Sequence, residues 1–176
     1  MGNGESSYRR YLDGEKEAFG DIVKLYRTGL TFFIEGFVHD PYAAEDIAID
    51  VFMQLIIHKR RYNFKTPLKT YLYMIARSRS IDWLRHKKHL REEELSEIEG
   101  GGFEDDLIAD EQKRAVHRAI AKLSEEMRTA VYLVYFEDMS YDEAAQVMKK
   151  NRKQVDNLLY RAKKELRGIL GSEALL

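Results

Sequence analysis

The stretch from Met139 to Leu166 reads MSYDEAAQVMKKNRKQVDNLLYRAKKEL, and it carries the signals of two short helices separated by a tight turn. Ser140 followed three residues later by Glu143 is a capping box, which predicts that the first helix begins here. Asn151 is a favourable N-cap for the second helix, with Gln154 at the position of a reciprocal bond. The sequence therefore predicts a helix-turn-helix, a unit that offers the start of its second helix to the major groove of DNA.

The second of these helices has two different faces. Its apolar face recurs at helical spacing and is expected to pack in a core. That face consists of Val155, Leu158, Leu159, Ala162 and Leu166. The opposite face carries groups that can hydrogen-bond bases and phosphates. The candidates for contact with duplex DNA are Arg152, Lys153, Gln154, Asn157, Tyr160 and Arg161.

Charge supports the DNA-binding interpretation of this segment. Residues 149–167 hold eight Lys or Arg and two acids, a formal charge of +6. The alternative is an ordinary amphipathic helix with a charged, solvated face. The caps, the turn and the apolar register occur together here, and that combination favours DNA binding.

The composition of the whole chain excludes several classes of protein. Its 176 residues are 44% hydrophobic, enough for one ordinary core or two small ones. The absence of cysteine excludes disulfides and thiolate zinc sites and is compatible with a reducing cytoplasm. No apolar run approaches the roughly 20 residues that span a bilayer. We therefore expect a cytoplasmic protein without membrane insertion.

The net charge of −1 conceals a strong segregation of charge along the chain. Residues 77–91 carry +5, whereas residues 92–112 hold ten acids and no Lys or Arg. Such blocks are typical of linkers and interaction segments, and the glycine triplet Gly100 to Gly102 indicates a domain boundary. We predict an all-α fold of two small helical domains joined by an acidic flexible linker. The predicted parts are residues 1–91, the linker 92–106, and residues 107–176, which end in the helix-turn-helix.

The front domain has clear helix signals after a weak beginning. Residues 1–7 are small and polar, so we expect them to be frayed. Apolar residues from Phe19 to Phe37 form one long helical stripe. Asp40 before Pro41 predicts the start of a helix that runs to about His58. A loop follows, and then a helix from about Pro67 or Leu68 to about Leu90.

Two surfaces of the front domain combine unusual residue types. The helix after Pro41 exposes an acidic ridge, namely Glu45, Asp46, Asp50 and Gln54. The loop and the next helix interleave Tyr62, Phe64, Tyr71 and Tyr73 with Lys65, Lys69, Arg77 and Arg79. Aromatic rings stack on unpaired bases at roughly 1 to 3 kcal/mol per base while cations hold the backbone. The alternatives are a solvated face for the ridge and a core position for most of the aromatic residues.

Three motifs in this order resemble the bacterial RNA polymerase sigma factors of the extracytoplasmic function (ECF) group, in the sigma-70 family. The family's front domain typically reads AED and then VF, matched here by residues 44–46 and 51–52. A later motif, T-W-L-Y-x-I-A-R-N with D-x-x-R, is similar to residues 70–78 followed by Asp82 and Arg85. Residues 161–166, RAKKEL, match the end of the family's helix-turn-helix. The resemblance covers nearly the whole chain.

The resemblance implies a sigma factor that binds core RNA polymerase and directs promoter recognition, minus-ten melting and transcription initiation. The residues implied to dock on the clamp helices of the β′ subunit are Glu45, Asp46, Ile49, Asp50 and Gln54. Those implied to recognise and melt the minus-ten element are Tyr62, Asn63, Phe64, Lys65, Lys69, Tyr71, Ser78, Arg79, Asp82 and Arg85. Those implied to contact the minus-thirty-five element are Arg152, Lys153, Gln154, Asn157, Tyr160 and Arg161. The β subunit, promoter DNA and an anti-sigma factor are further implied partners, and the acidic connector is implied to run towards the RNA exit path.

The chain departs from the family pattern at several positions. Ile49 stands where the family usually has Gln, so this contact with polymerase is expected to be apolar. Tyr71 replaces Trp and Ser78 replaces Asn in the minus-ten motif. Lys149-Lys150 fills a turn that usually contains Gly, and Asp156 occupies a position that is often basic. Promoter preference therefore cannot be copied from relatives.

Two other functions remain as alternatives. A helix-turn-helix regulator that acts without polymerase would use only the rear domain and would leave the acidic ridge and the aromatic-basic loop unexplained. An enzyme has little support. Among the five histidines only His86 and His89 lie one helical turn apart, and such a pair in a basic patch is more often a phosphate neighbour than a metal-ligand pair. We expect no metal site, no cofactor and no catalytic residue.

Overall fold

The computed structural model describes residues 3–93 and 111–171, and within them all regular structure is helical. The prediction of an all-α fold is confirmed. The chain divides into two compact units, Met1–Gly101 and Gly102–Leu176. Most of the predicted acidic linker, residues 94–106, lies outside the described residues. None of the helices in the described part is long and apolar enough to cross a membrane.

The described part of the front unit, residues 3–93, contains four helices. They are α1 (Asn3–Leu12), α2 (Ala18–Val38), α3 (Pro41–Ile57) and α4 (Leu68–Glu93). The central helix is α2, which packs against the other three. Ile22, Leu30, Ile34 and Phe37 of α2 are buried, and so are Val51 and Leu55 of α3 and Leu72 of α4.

The predicted start of α3 is confirmed. An Asp40 side-chain oxygen accepts hydrogen bonds from the backbone N–H groups of Tyr42 and Ala43 at 3.0 and 3.1 Å, and Pro41 is the first helical residue. Proline loses nothing at this position because the first amides of a helix have no intrahelical partner. The end of α4 is later than predicted, since the helix continues three residues past Leu90 to Glu93.

The expectation that residues 1–7 are frayed is wrong for residues 3–7, which belong to α1. Small side chains mark close packing here. Gly4 lies against the ring of Tyr26, and a Cβ at this position would come within 2.8 Å of two ring carbons. Tyr8 is fully buried, and burial raises its pKa to about 12. The polar composition of the segment therefore did not predict this helix, which packs through the buried Tyr8 and through the close contact of Gly4 with Tyr26.

Four α-helices also occur in residues 111–171, the part of the rear unit that the structure describes. They are α5 (Glu111–Ala121), α6 (Glu125–Val131), α7 (Tyr141–Met148) and α8 (Arg152–Leu170). The predicted cap at Ser124 is confirmed, because its hydroxyl accepts from the N–H of Met127 at 3.4 Å. After α6 the chain continues as a π-helical segment, Tyr132–Phe136. Four apolar residues predicted on α8, Val155, Leu158, Leu159 and Ala162, are buried, and Leu166 is half-buried.

Candidate nucleic-acid interface

Both helices of the predicted helix-turn-helix begin with a complete capping box. The Ser140 hydroxyl accepts from the N–H of Glu143 at 3.2 Å, and the Glu143 carboxylate accepts from the N–H of Ser140 at 2.7 Å. The Asn151 side chain accepts from the N–H of Gln154 at 2.8 Å, and Gln154 Oε1 accepts from the N–H of Asn151 at 2.9 Å. These reciprocal bonds fix the start of α8, which is the end that a helix-turn-helix presents to DNA.

The turn between α7 and α8 adopts a left-handed backbone without glycine. Lys149 has φ 54° and ψ 43°, and its N–H donates to the carbonyl oxygens of Ala145 and Gln146. Lys150 Nζ lies 2.7 Å from a Glu126 carboxylate oxygen, which ties the turn to α6. For a residue with a Cβ, the left-handed conformation costs roughly 1–2 kcal/mol. The turn thus keeps its shape against a local strain that glycine would avoid.

We expect Lys149→Gly to stabilise the rear unit by about 0.5–1 kcal/mol, because relief of the left-handed strain exceeds the added freedom of the unfolded chain. Amide hydrogen exchange in α7 and α8 of the full chain measures this effect, which should appear as slower exchange. Lys150→Gly is the matched control and should accelerate exchange, since Lys150 is outside the left-handed region and would lose its ion pair with Glu126. Equal or faster exchange in Lys149→Gly would contradict the prediction.

All six residues that the sequence predicts at the minus-thirty-five element are exposed on α8. Two of them already have internal partners. Arg152 Nη1 lies 3.0 Å from Asp142 Oδ2, and Gln154 is part of the capping box. The remaining four are Lys153, Asn157, Tyr160 and Arg161, for which no side-chain hydrogen bond or ion pair occurs within the described part of the chain. Their donor groups are available to an external ligand, and the Tyr160 side chain is 71% exposed.

The aromatic residues between α3 and α4 divide into core and surface. Tyr62 is only 4% exposed, its hydroxyl donates to the carbonyl oxygen of Thr66 at 2.7 Å, and burial raises its pKa. Tyr73 is fully buried as well. The expectation that these two rings stack on bases is corrected, because both pack in the interior of the front unit. Phe64 and Tyr71 are half-buried.

The loop has a defined shape that its own residues and α1 maintain. Asn63 Oδ1 accepts from the N–H of Lys65 at 3.1 Å, and Asn63 and Lys65 are exposed. Phe64 has φ 61°, an uncommon value for a bulky residue. The guanidinium carbon of Arg9 lies 4.0 Å from the centre of the Phe64 ring. The loop therefore presents an amide, a ring and a cation on a fixed backbone.

The predicted minus-ten residues of α4 form one exposed surface. Ser78, Arg79, Asp82 and Arg85 are exposed, and Lys69 and Tyr71 near the start of the helix are half-buried. On the same helix the Lys87 ammonium group lies 4.6 Å from the centre of the Trp83 ring. Helical geometry places residues 78, 82 and 85 one turn apart on a single side. The structure thus brings these polar groups together as the sequence predicts.

The outer face of α3 is acidic and apolar at once. Glu45, Asp46 and Asp50 are exposed, and Gln54 is half-buried. Ile49 is 54% exposed, and Met53 and Ile57, four and eight residues further on, are also exposed. Glu45 Oε1 lies 3.7 Å from Arg27 Nη2, whereas Asp46 and Asp50 have no ion pair among the residues that the structure describes. Sequence reasoning missed Met53 and Ile57, although their spacing from Ile49 was a signal for them.

Sequence reasoning also missed a basic run at the end of α3. Residues 58–61, HKRR, line an open surface groove together with Ile56 and Ile57. Lys59, Arg60 and Arg61 are exposed. This run leads directly into the loop at Tyr62, so it adds cations beside Lys65. The run of four consecutive His, Lys and Arg residues could have identified it.

A helix-turn-helix whose second helix exposes basic, amide and phenol side chains is typical of the class of DNA-binding proteins. Residues 22–90 match the family Sigma-70 region 2, and residues 113–166 match the family Sigma-70, region 4. The chain belongs to the sigma-70 family of RNA polymerase sigma factors, in its ECF group. It is a transcription initiation factor that binds core RNA polymerase and directs promoter recognition, and it is not an enzyme.

Individual relatives agree with this assignment. The RNA polymerase sigma factor SigV of Bacillus subtilis (strain 168) is 30% identical over 138 residues, which cover 74% of this chain and 80% of SigV. The ECF RNA polymerase sigma factor SigW of the same organism is 25% identical over 167 residues, 88% of this chain and 89% of SigW. The fold is similar to that of the sigma factor RpoE in its complex with the anti-sigma factor NepR from Bartonella quintana. That likeness has a TM-score of 0.75 at 20% identity and covers 89% of this chain and 99% of RpoE.

Proposed function

We propose that three exposed surfaces divide the work of promoter recognition. The outer face of α3 docks on the clamp helices of the β′ subunit, the loop with α4 holds the opened minus-ten strand, and α8 reads the minus-thirty-five element as duplex. One observation carries this proposal. On each surface the exposed side chains are chemically complementary to the proposed ligand. We divide these tasks along the predicted parts, residues 1–91, 92–106 and 107–176. We infer that the protein acts in the cytoplasm, where polymerase and promoter DNA are.

The proposal for α8 rests on Lys153, Asn157, Tyr160 and Arg161, whose side chains have no partner among the residues that the structure describes. An Arg guanidinium can bond two acceptors of guanine and an Asn amide can bond adenine in the major groove. Asn157 and Arg161 are therefore assigned to base edges, and Lys153 and Tyr160 to phosphates and sugars. Arg152 and Gln154 keep supporting roles, because each already has an internal partner.

The proposal for the minus-ten surface rests on the loop and the exposed side of α4. A base that leaves the duplex loses its stacking and pairing, so a protein that melts DNA must supply a pocket and a stacking partner. Phe64 is the ring assigned to stacking, with the half-buried Tyr71 as a second ring of the same surface. Asn63 and Lys65 are assigned to the backbone of the strand. Five residues of α4 are assigned to contacts with the same strand, namely Lys69, Ser78, Arg79, Asp82 and Arg85. Tyr62 shapes the loop from within.

We expect Phe64→Ala to weaken binding of the minus-ten strand by holoenzyme about tenfold, because one base loses its stacking partner at roughly 1–3 kcal/mol. The probe is a fluorescently labelled single-stranded oligonucleotide, the non-template minus-ten strand of a promoter that is defined by in vitro transcription from genomic DNA. Anisotropy titration measures its affinity. Phe32→Ala removes an exposed ring from α2 and serves as the control with unchanged affinity. An affinity of Phe64→Ala within twofold of wild type would rule out the assigned role.

An anti-sigma factor is the proposed regulatory partner. The sigma factor RpoE and the protein CnrH, whose folds resemble this one, were solved with the anti-sigma factor NepR and with the cytosolic domain of CnrY, respectively. CnrH gives a TM-score of 0.70 at 20% identity and covers 98% of this chain and 99% of CnrH. The exposed apolar residues Ile49, Met53 and Ile57 suit a protein partner, and a partner bound there would exclude core polymerase.

The rear unit and the connector have proposed contacts with polymerase as well. The β subunit is the proposed second docking site, as the family resemblance implies. Residues 92–112 carry ten acids and no Lys or Arg. We assign this segment to the RNA exit path of the polymerase, where carboxylates can occupy a surface that binds phosphates. Residues 94–110 lie outside the part of the chain that the structure describes, so charge alone supports this assignment.

A further inference from the structure

Helix α4 begins at Leu68, directly after Pro67, and it has no side-chain cap from that proline. Pro67 supplies a carbonyl oxygen that accepts from the N–H of Tyr71 at 3.0 Å, but its ring contains no acceptor. The first amides of a helix need partners from outside the helix. The N–H of Leu68 donates instead to the Glu5 carboxylate at 2.6 Å, across 63 residues of sequence. A residue of α1 therefore caps α4.

Two more residues of α1 contact the same loop. The Tyr8 hydroxyl lies 3.2 Å from the carbonyl oxygen of Leu55 and 3.1 Å from that of Lys59, at the end of α3 where the loop departs. The Arg9 guanidinium covers the ring of Phe64. Contacts from α1 thus reach the beginning, the tip and the end of the loop. These contacts lie on both sides of Phe64 in the sequence and on its ring, and the left-handed backbone of this residue persists only when its surroundings hold it.

We propose that α1 is the positioning element of the minus-ten loop and that Glu5 is its decisive residue. Glu5 acts through the start of α4 and touches no DNA. By fixing where the loop meets the helix, it sets the loop in its strand-binding shape before DNA arrives, so that binding does not have to order the loop. This inference rests on the proposed capture of the minus-ten strand by the loop.

Three substitutions of Glu5 separate capping geometry from charge. Glu5→Gln keeps the length and an acceptor oxygen, Glu5→Asp keeps the charge but is one methylene shorter, and Glu5→Ala removes both. Affinity of holoenzyme for the labelled minus-ten oligonucleotide should fall about tenfold in Glu5→Ala and Glu5→Asp, equivalent to about 1.4 kcal/mol. Glu5→Gln should stay within about threefold of wild type, since a neutral acceptor forms a weaker bond of the same geometry.

Core binding and a matched charge change complete the experiment. Affinity for core polymerase should be the same in all three variants. Glu17→Ala removes one carboxylate from an exposed position that makes no side-chain cap bond, and it should leave oligonucleotide binding unchanged. If Glu5→Ala unfolds, the milder Glu5→Asp decides the question, with melting temperature as the check on folding.

Several results would overturn the inference. Wild-type oligonucleotide binding by Glu5→Ala, alongside a loss in Phe64→Ala, would reject the role of Glu5 and leave the loop's function standing. Wild-type binding by both variants would reject the loop's function, and the inference with it. A loss in Glu5→Gln as large as that in Glu5→Ala, with Glu5→Asp intact, would assign the effect to charge. An equal loss of core binding would reduce Glu5 to a general role in stability.

Discussion

Replacing Asp46 and Asp50 together with lysine is expected to weaken binding of core RNA polymerase at least about 100-fold. Both carboxylates are exposed on the outer face of α3, and neither has an ion pair within the described ranges, so the substitutions break no ion pair there. The change adds four positive units to a face whose proposed partner must attract acids. Placing like charges against each other across an interface costs several kcal/mol.

Titration of labelled protein with core polymerase measures this effect. The matched control is the double variant Asp13→Lys and Glu17→Lys, which makes the same charge change on exposed residues between α1 and α2. It should bind core polymerase within about threefold of wild type. The loss in the α3 variant should shrink at high salt, because screening weakens interactions between exposed charges. Retained binding by the α3 variant at low salt would contradict the assignment of this face.

The same face of α3 also has an apolar part, which we expect to contribute to the proposed interface with polymerase beside the acidic residues. Ile49 lies between the two acids, and Met53 and Ile57 continue the stripe along α3. Scattered exposed apolar residues are ordinary, but a row of three at four-residue spacing on one helix forms a continuous strip. Charges steer the encounter, and burial of such a strip keeps the partners together.

Local signals made part of this molecule predictable. The caps at Asp40, Ser140 and Asn151 each depend on residues no more than three positions away, so the sequence pattern contains the whole interaction. Helical periodicity likewise predicted the buried side of α8, because one face of a helix repeats every three to four residues.

Two features escaped prediction because they depend on long-range packing, namely the cap by Glu5 and the burial of Tyr62. Glu5 is an ordinary surface residue in its own segment, and only the fold brings it to Leu68. Tyr62 has the composition of a stacking residue, yet it is buried because α1 and α4 enclose it with Tyr8 and Tyr71. Aromatic residues near cations are ambiguous in sequence for this reason. The fold decides which of them remain exposed.

Arg161→Ala is expected to lower the affinity of holoenzyme for promoter duplex about 30-fold. This factor corresponds to the middle of the range of binding free energy, roughly 1–3 kcal/mol, that a bidentate contact to a base supplies. The same variant should bind a duplex with a scrambled minus-thirty-five element almost as well as wild type does, so it loses discrimination rather than general affinity. Electrophoretic mobility shift with both duplexes measures the two affinities. Binding of the single-stranded minus-ten oligonucleotide should be unchanged, because that contact belongs to the front unit.

Two further variants distinguish a base contact from a phosphate contact. Arg167→Ala removes an exposed arginine from the last turn of α8 and should weaken both duplexes equally and slightly. Arg161→Lys keeps the charge but cannot bond two acceptors in a fixed plane, so it should keep general affinity for both duplexes and fail to restore discrimination. If Arg161→Ala still discriminates between the duplexes as wild type does, α8 contacts only the backbone at this position. Asn157 would then be the remaining candidate for the base contact.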